Sequence, residues 1–279
     1  MYTKDILIIA KSLKNNGTCI GGLDITNQNL DWREAGIDNI RKTSLKWVRP
    51  VKAIPKESFK QSDFNKLLPG VEFKLLDVIT MTFIKPTPLN FQPENELVDL
   101  NTPWIKQNQY ECAPNPDLDN LVHMDKNQLM DHSIRFYSPR HDRIPTTCFI
   151  EEPAKNSLQF IKLTHEENKT KLLYESRNSW KGIIWNPRLE FIYKGKFHNL
   201  GITDLKFPKL DHEPIKLEDG IIDVDIPEAD ITKLPCPVDL AYISIGFGAA
   251  FEPSPGSGLQ HFKLIAGFIS KLTHLDRWP

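Results

Sequence analysis

The sequence predicts a mainly β protein: two small β-barrels in tandem, with long loops and one or two short helices. Three observations lead there. The apolar stretches are short and stop at Gly, Pro, Asn or Asp, as strands between turns do. The 21 prolines punctuate connections and strand edges, which suits barrels better than a parallel sheet. A composition boundary at Glu151-Glu152-Pro153 splits the 279 residues into halves with enough strands for a small barrel each. Residues 1–150 are read as a first barrel with an irregular and helical insert, and residues 151–279 as a second barrel.

In chain order, strands are expected at 6–10, 18–23, 45–51 and 73–84. Asn16-Gly17, a strong turn signal, makes the first two a hairpin. In 45–51, Leu45, Trp47 and Arg49 share one face while Lys46 and Val48 share the other. The middle is irregular, except that Leu118, Leu121, Val122, Leu129 and Met130 fall at near-helical spacing behind Pro114 and Pro116. That spacing predicts a helix over 118–132. Further strands are expected at 147–150, 158–163, 171–175, 189–194, 197–203, 221–226 and 240–246. Residues 189–203 form the clearest hairpin: Leu189, Phe191 and Tyr193 alternate, and Lys194-Gly195-Lys196 turns the chain. The β-branched and aromatic content of 262–272 favours strand over helix.

Composition excludes several classes. Hydrophobic residues make up 40% and charged residues 25%, so global disorder is a poor reading. No apolar run approaches the ~20 residues of a membrane-spanning helix, and the 5–10 stretch is too short for a secretory signal core. A cytoplasmic protein with no membrane partner is expected. Cys19, Cys112, Cys148 and Cys236 are far apart, without zinc spacing, and the histidines are dispersed. No metal and no cofactor are expected. Net charge is −1, against a polybasic nucleic-acid binder, but the charge is segregated: residues 1–60 carry +5, 92–131 carry −6 and 211–240 carry −7.

Candidate sites are of two kinds. The stretch 12–22 offers Lys11, Lys14 and the Gly21-Gly22 pair, but it lacks the lysine and hydroxyl residue of a phosphate loop, so it is first a hairpin. Trp47 and Arg49, two apart on a strand, would stack a base and contact a phosphate. Alternatively Trp47 is core and Arg49 pairs with an acid; the sequence leaves both open. Residues 134–145 interleave Phe136 and Tyr137 with Arg135, Arg140 and Arg143, and residues 176–188 carry Trp180, Trp185 and Arg188. Such basic and aromatic islands suit nucleic-acid contact, although a tryptophan-rich hairpin packed on its own core explains the second as well. Adjacent residues on an extended chain face opposite ways, so His141-Asp142 is a poor catalytic pair. The glycine-rich stretch 246–258 is read as a loop joining two strands. Gln92-Pro93-Glu94-Asn95 is considered as a metal ligand set, and no nucleophile signature appears.

Several stretches taken in order, "AKSLKNNGTCIGG", "KWVRPV", "LLDVITMTF" followed by "QPEN", "LEFIYKGKFHNLGITD" and "LAYISIGFGAAF" with "FKLIAGFI", resemble the bacterial dual OB-fold domain family over roughly residues 4–272. The resemblance implies two OB-type barrels and no catalytic residues. It also suggests a recognition subunit, as in modules found beside bacterial conflict and defence proteins. The insert between Leu23 and Leu45 and the 246–258 stretch are longer than that pattern.

The leading expectation is a non-enzymatic protein that binds single-stranded or otherwise exposed DNA or RNA through Lys11, Lys14, Trp47, Arg49, Arg135, Tyr137, Arg140, Arg143, Trp180 and Arg188. The alternatives are a subunit that meets a partner protein, encoded nearby, through its acidic segments, and a sensor of a small nucleotide or modified base.

Overall fold

A computed structural model describes residues 1–14, 17–26, 45–52, 58–107, 118–122, 142–151, 153–179, 182–204, 215–216, 222–223, 240–253 and 255–270. The first barrel begins with β1 (Tyr2–Lys14), which is long enough to serve two neighbours. Its first half pairs with β4 (Val78–Pro86), from Tyr2↔Phe83 to Leu7↔Val78. Its second half pairs with β2 (Gly17–Asp24), from Ile6↔Asp24 to Lys14↔Gly17, with an irregularity between Ile8 and Ala10 where the strand bends. β2 then pairs with β3 (Lys46–Val51), which runs parallel to β5 (Asn95–Val98), and β5 returns to β4. The order β1-β2-β3-β5-β4-β1 closes a five-stranded barrel. β6 (Ile105–Lys106) extends β4 on the outside.

Why Ile6–Ile9 is a continuous apolar run is now visible. All four side chains are fully buried, but on two sides. Ile6 and Ile8 face the barrel interior with Val48, Ile79 and Phe83. Leu7 and Ile9 face outward, onto Leu158, Phe160 and Tyr242 of the second barrel. A strand covered on both faces loses the polar alternation of a half-exposed one.

The second barrel uses β8 (Leu158–Thr164), β9 (Lys171–Ser179), β10 (Gly182–Tyr193), β11 (Lys196–Ile202), β14 (Leu240–Phe247) and β15 (Gln260–Ser270). They pair in the order β8-β14-β15-β11-β10-β9, with β11 and β15 parallel. β8 and β9 are consecutive pieces of chain, and together they take the place that β1 holds in the first barrel: β8 pairs with β14, and β9 pairs with β10. Asn168 holds the break between them. Its Oδ1 accepts the Thr164 N–H at 2.8 Å and its Nδ2 donates to the Ile192 carbonyl at 2.6 Å. The β10–β11 hairpin closes from Tyr193↔Lys196 through Lys194 and Gly195, which take φ of 50° and 74°, the left-handed pair of a tight hairpin turn. Between the halves, β7 (Arg143–Pro145) pairs with β15, and β12 (Ile215–Lys216) with β13 (Ile222–Asp223) forms a separate ribbon. Ile144 and Phe149 pack in the core of the second barrel.

The fold is mainly β, as expected, and the helical segments are short: α1 (Gln61–Leu67), α2 (Asp119–Val122), α3 (Thr146–Glu151) and α4 (His165–Asn168). Three expectations need correction. The stretch 147–150 is helical, not a strand: it follows Pro145, and Phe149 is buried while Ile150 is 71% exposed, a short apolar run that periodicity alone does not resolve. The strand expected from 73 starts only at Val78, because Leu76 takes a φ of 71° and Asp77 accepts the Lys74 N–H at 2.7 Å. Helix α1, which buries Phe64 and Leu67, was not expected at all. Of the expected helix 118–132, residues 118–122 are described and Leu118 and Leu121 are buried; the rest lies outside the described residues, as does most of 221–226.

The barrels are joined by more than apolar contact. Leu13 N–H donates to the Thr203 carbonyl at 2.8 Å, and the Ser244 hydroxyl donates to the Ile9 carbonyl. At Gly267 a Cβ would lie 2.5 Å from that same carbonyl, so only glycine permits the approach. Among the described residues no helix is long and apolar enough to cross a membrane.

Candidate functional site

Arg49 stands where β3 meets the second barrel. Its backbone N–H donates to the Glu94 carbonyl at 2.9 Å, and its Nε lies 3.4 Å from Glu94 Oε1. Its Nη2 donates to the Ser157 hydroxyl at 2.8 Å, and its Nη1 makes a longer contact of 3.4 Å with the Phe247 carbonyl. The circle closes on Glu94: its Oε1 accepts the Ser157 hydroxyl and its Oε2 accepts the Ser157 N–H at 3.1 Å. A buried carboxylate is thus held by a guanidinium, a hydroxyl and an amide, which is how a buried charge is tolerated. The residues 49 and 92–95, which looked unrelated in sequence, meet because β3 and β5 run side by side, with Arg49 opposite Asn95.

Beside this node a cleft of about 360 Å³ opens between the barrels. One wall is β2 and β3, through residues 18–21 and 49–51. The other is residues 246–251 and the face of β15 that carries Phe262 and Leu264. Small residues, Ala10, Gly21, Gly246 and Ala266, line it together with Leu158, whose methyls lie over the two glycines. Phe251 and Phe262 supply flat apolar surface, their rings stacked with centroids 4.4 Å apart, while Phe59 and Phe247 border the cleft from the two cores. Gln92 lines the cleft and is 2% exposed; its Nε2 donates to the Phe247 carbonyl at 2.8 Å. Across the loop, Glu252 accepts the N–H groups of Gly256 and Gly258, at 2.9 and 3.2 Å, which ties down the 246–258 stretch.

Of the residues expected to bind, the described ones do not converge on one groove. Trp47 is 9% exposed and packs with Leu23, Val78 and Leu121, so its ring is core and not a stacking surface. Arg49 borders the cleft but serves Glu94 and Ser157 first. Lys11 is on another side: its Nζ donates to the Phe73 carbonyl at 2.7 Å and lies 4.4 Å from that ring's centre, and burial pushes its pKa down. Arg143 contacts Asp142 at 3.3 Å and lies 5.2 Å from the ring centre of Phe262, next to the cleft but not lining it. Arg188 turns to Asp142, at 3.1 Å, and also donates to Asn199. The Lys14 side chain, Arg135, Tyr137, Arg140 and Trp180 lie outside the described residues. Among the described residues, what separates these side chains is the neighbour each one meets as the barrels curve and dock.

The metal reading of residues 92–95 is replaced by the geometry above: Glu94 is taken by Arg49 and Ser157. Among the described residues no group of three or more His, Cys, Asp or Glu side chains is placed to hold a metal ion. The described part of the acidic segment 92–131 is likewise engaged inside the protein. Glu96 accepts from Tyr2 and Lys4, each at 2.7 Å, and Asp99 accepts from the Thr102 hydroxyl at 2.6 Å. Sequence reasoning missed Ser157 as a partner of Arg49 altogether, and no local signal would have found it.

Both barrels share one plan. The first strand pairs with the second and the fourth, and the third runs parallel to the fifth; this is the five-stranded plan of the OB-fold. The protein is therefore a pair of OB-folds. A family model for the dual OB-containing domain matches residues 4–267, and the chain belongs to that family. No curated protein and no solved structure matches it.

Proposed function

We propose that this protein is a non-enzymatic recognition protein for exposed single-stranded nucleic acid, DNA or RNA, serving as a subunit of a bacterial conflict or defence system. One observation carries the reading: the cleft lies on the faces that OB-folds use. These are the second and third strands, here β2 and β3, and the loop between the fourth and fifth. The first barrel supplies Gln92 from that loop, and the second supplies residues 248–251 from its own. Aromatic faces beside small-residue backbone suit bases, whose stacking is worth about 1–3 kcal/mol each.

The test is fluorescence anisotropy with labelled single-stranded DNA and RNA at low and high salt. Binding that weakens with salt is expected, since phosphate contacts release counterions. No binding at low salt overturns the reading. A stoichiometric protein co-purifying from the native host, with no nucleic acid bound, would favour the partner-binding alternative instead.

The size of the cleft favours a second reading, a sensor of a free nucleotide, because about 360 Å³ falls within the range of small-molecule sites. A nucleotide that raises the melting temperature as much as a strand does would select it.

A further inference from the structure

We infer that the inter-barrel cleft holds one unpaired nucleobase and reads its edge through Gln92. The inference rests on the proposal that this face binds nucleic acid or a nucleotide. It starts from an imbalance in a buried amide. Gln92 is 2% exposed, and its Nε2 is committed to the Phe247 carbonyl at 2.8 Å. That bond fixes the orientation of the amide. Its other end, Oε1, is buried and has no hydrogen-bond partner among the described residues. Leaving a buried acceptor unmet is costly. The same side chain lines the cleft, and on this inference an N–H donor that enters the cleft satisfies the acceptor.

The rest of the cleft defines what carries the donor. The stacked Phe251–Phe262 pair gives it one flat apolar face, and the buried edges of Phe59 and Phe247 keep the rest apolar. Gly21 and Gly246 make room for Leu158, which also lines the cleft: a Cβ at either would come within 3.0 Å of a Leu158 methyl. A planar ring with an N–H on its edge fits these surfaces, and each nucleobase carries one, as an exocyclic amine or a ring N–H. Arg49, 12% exposed at its side chain, marks the end of the cleft nearest Glu94. Its contacts to Ser157 and Glu94 keep the two walls at a fixed separation, so the slot is held open before the ligand arrives.

The experiment titrates the full chain with adenosine and uridine, and with N6,N6-dimethyladenosine and 3-methyluridine, in which the edge N–H is replaced by methyl. A short single-stranded RNA forms a parallel arm. The parent nucleosides are expected to bind roughly tenfold tighter than their methylated forms, the cost of an unmet buried acceptor. In Gln92→Leu, checked for folding by its melting curve, that preference is expected to vanish. Equal binding of parent and methylated nucleosides by the wild-type protein overturns the inference, whatever the variant does. RNA binding without nucleoside binding, unchanged in Gln92→Leu, overturns it too while leaving the nucleic-acid reading standing. If neither nucleosides nor RNA bind, both readings fall. RNA much tighter than nucleoside identifies a strand as the source of the base; RNA no tighter than nucleoside identifies a free nucleotide.

Discussion

Arg49 of the first barrel donates to the hydroxyl of Ser157, at the entrance to the second, over 2.8 Å, and that hydroxyl in turn donates to Glu94. The arginine that looks like a phosphate ligand in sequence is a strut between two OB-folds. Its side chain is 12% exposed and that of Glu94 is 3% exposed, so each neutralises the other where water does not reach.

Replacing Arg49 with Ala strands Glu94 as a buried, uncompensated charge. The variant is expected to lose about 3–5 kcal/mol of unfolding free energy. Urea denaturation followed by two probes reads this. An effect within experimental error of wild type would show that the strut carries no energy.

Gly267 packs against the Ile9 carbonyl, where an added Cβ would lie 2.5 Å away. Gly267→Ala must therefore push β15 and β1 apart. A loss of about 1–3 kcal/mol, as for other overpacked contacts, is expected. Cleavage between the halves in limited proteolysis should quicken. Gly70→Ala, at a φ of 69° with open space around it, strains only its own turn and should leave that cleavage rate unchanged.

Trp47→Ala removes a core ring, so its main effect is on stability. A loss of about 3–5 kcal/mol is expected. At temperatures where the variant remains folded, single-stranded affinity should stay close to wild type. A stable variant with a large selective loss of binding would restore Trp47 to the binding surface.

Lys263 is fully buried, and burial drives its pKa well below the ordinary value of 10.5, against the opposing pull of Asp142. The unfolded chain therefore binds a proton that the folded chain does not, over the interval between the lowered value and 10.5. Stability accordingly rises with pH across that interval. Lys263→Met keeps the volume and removes the titration. It is expected to be more stable than wild type near neutral pH by on the order of 1 kcal/mol, with the gap closing as pH climbs. Chemical denaturation at several pH values checks this; a gap that stays constant with pH refutes it.

Much of the architecture is legible along the chain. The alternation of Leu189, Phe191 and Tyr193, with the turn at Lys194 and Gly195, places the β10–β11 hairpin by itself, because strand and turn signals are local. So are the Gly, Pro and Asn residues that delimit β2, β8 and β14. Short elements escape such reading. The run 147–150 has too few residues to show a period, and α1 has only seven.

The site is a different matter. Residue types within one motif were visible, but their faces depend on how the barrels curve. Trp47 and Arg49 share a strand face in sequence, yet one ends in the core and the other at the junction. Gln92, Glu94 and Ser157 are brought to Arg49 by β3 lying parallel to β5 and by the second barrel docking on β1. What the sequence by itself determined is the mainly β class, the two-barrel plan and the family, because these rest on local patterning and ordered motifs. The tertiary structure alone decided which cations are struts and where the cleft lies, because those follow from contacts between residues far apart in the chain, 198 positions for Arg49 and Phe247.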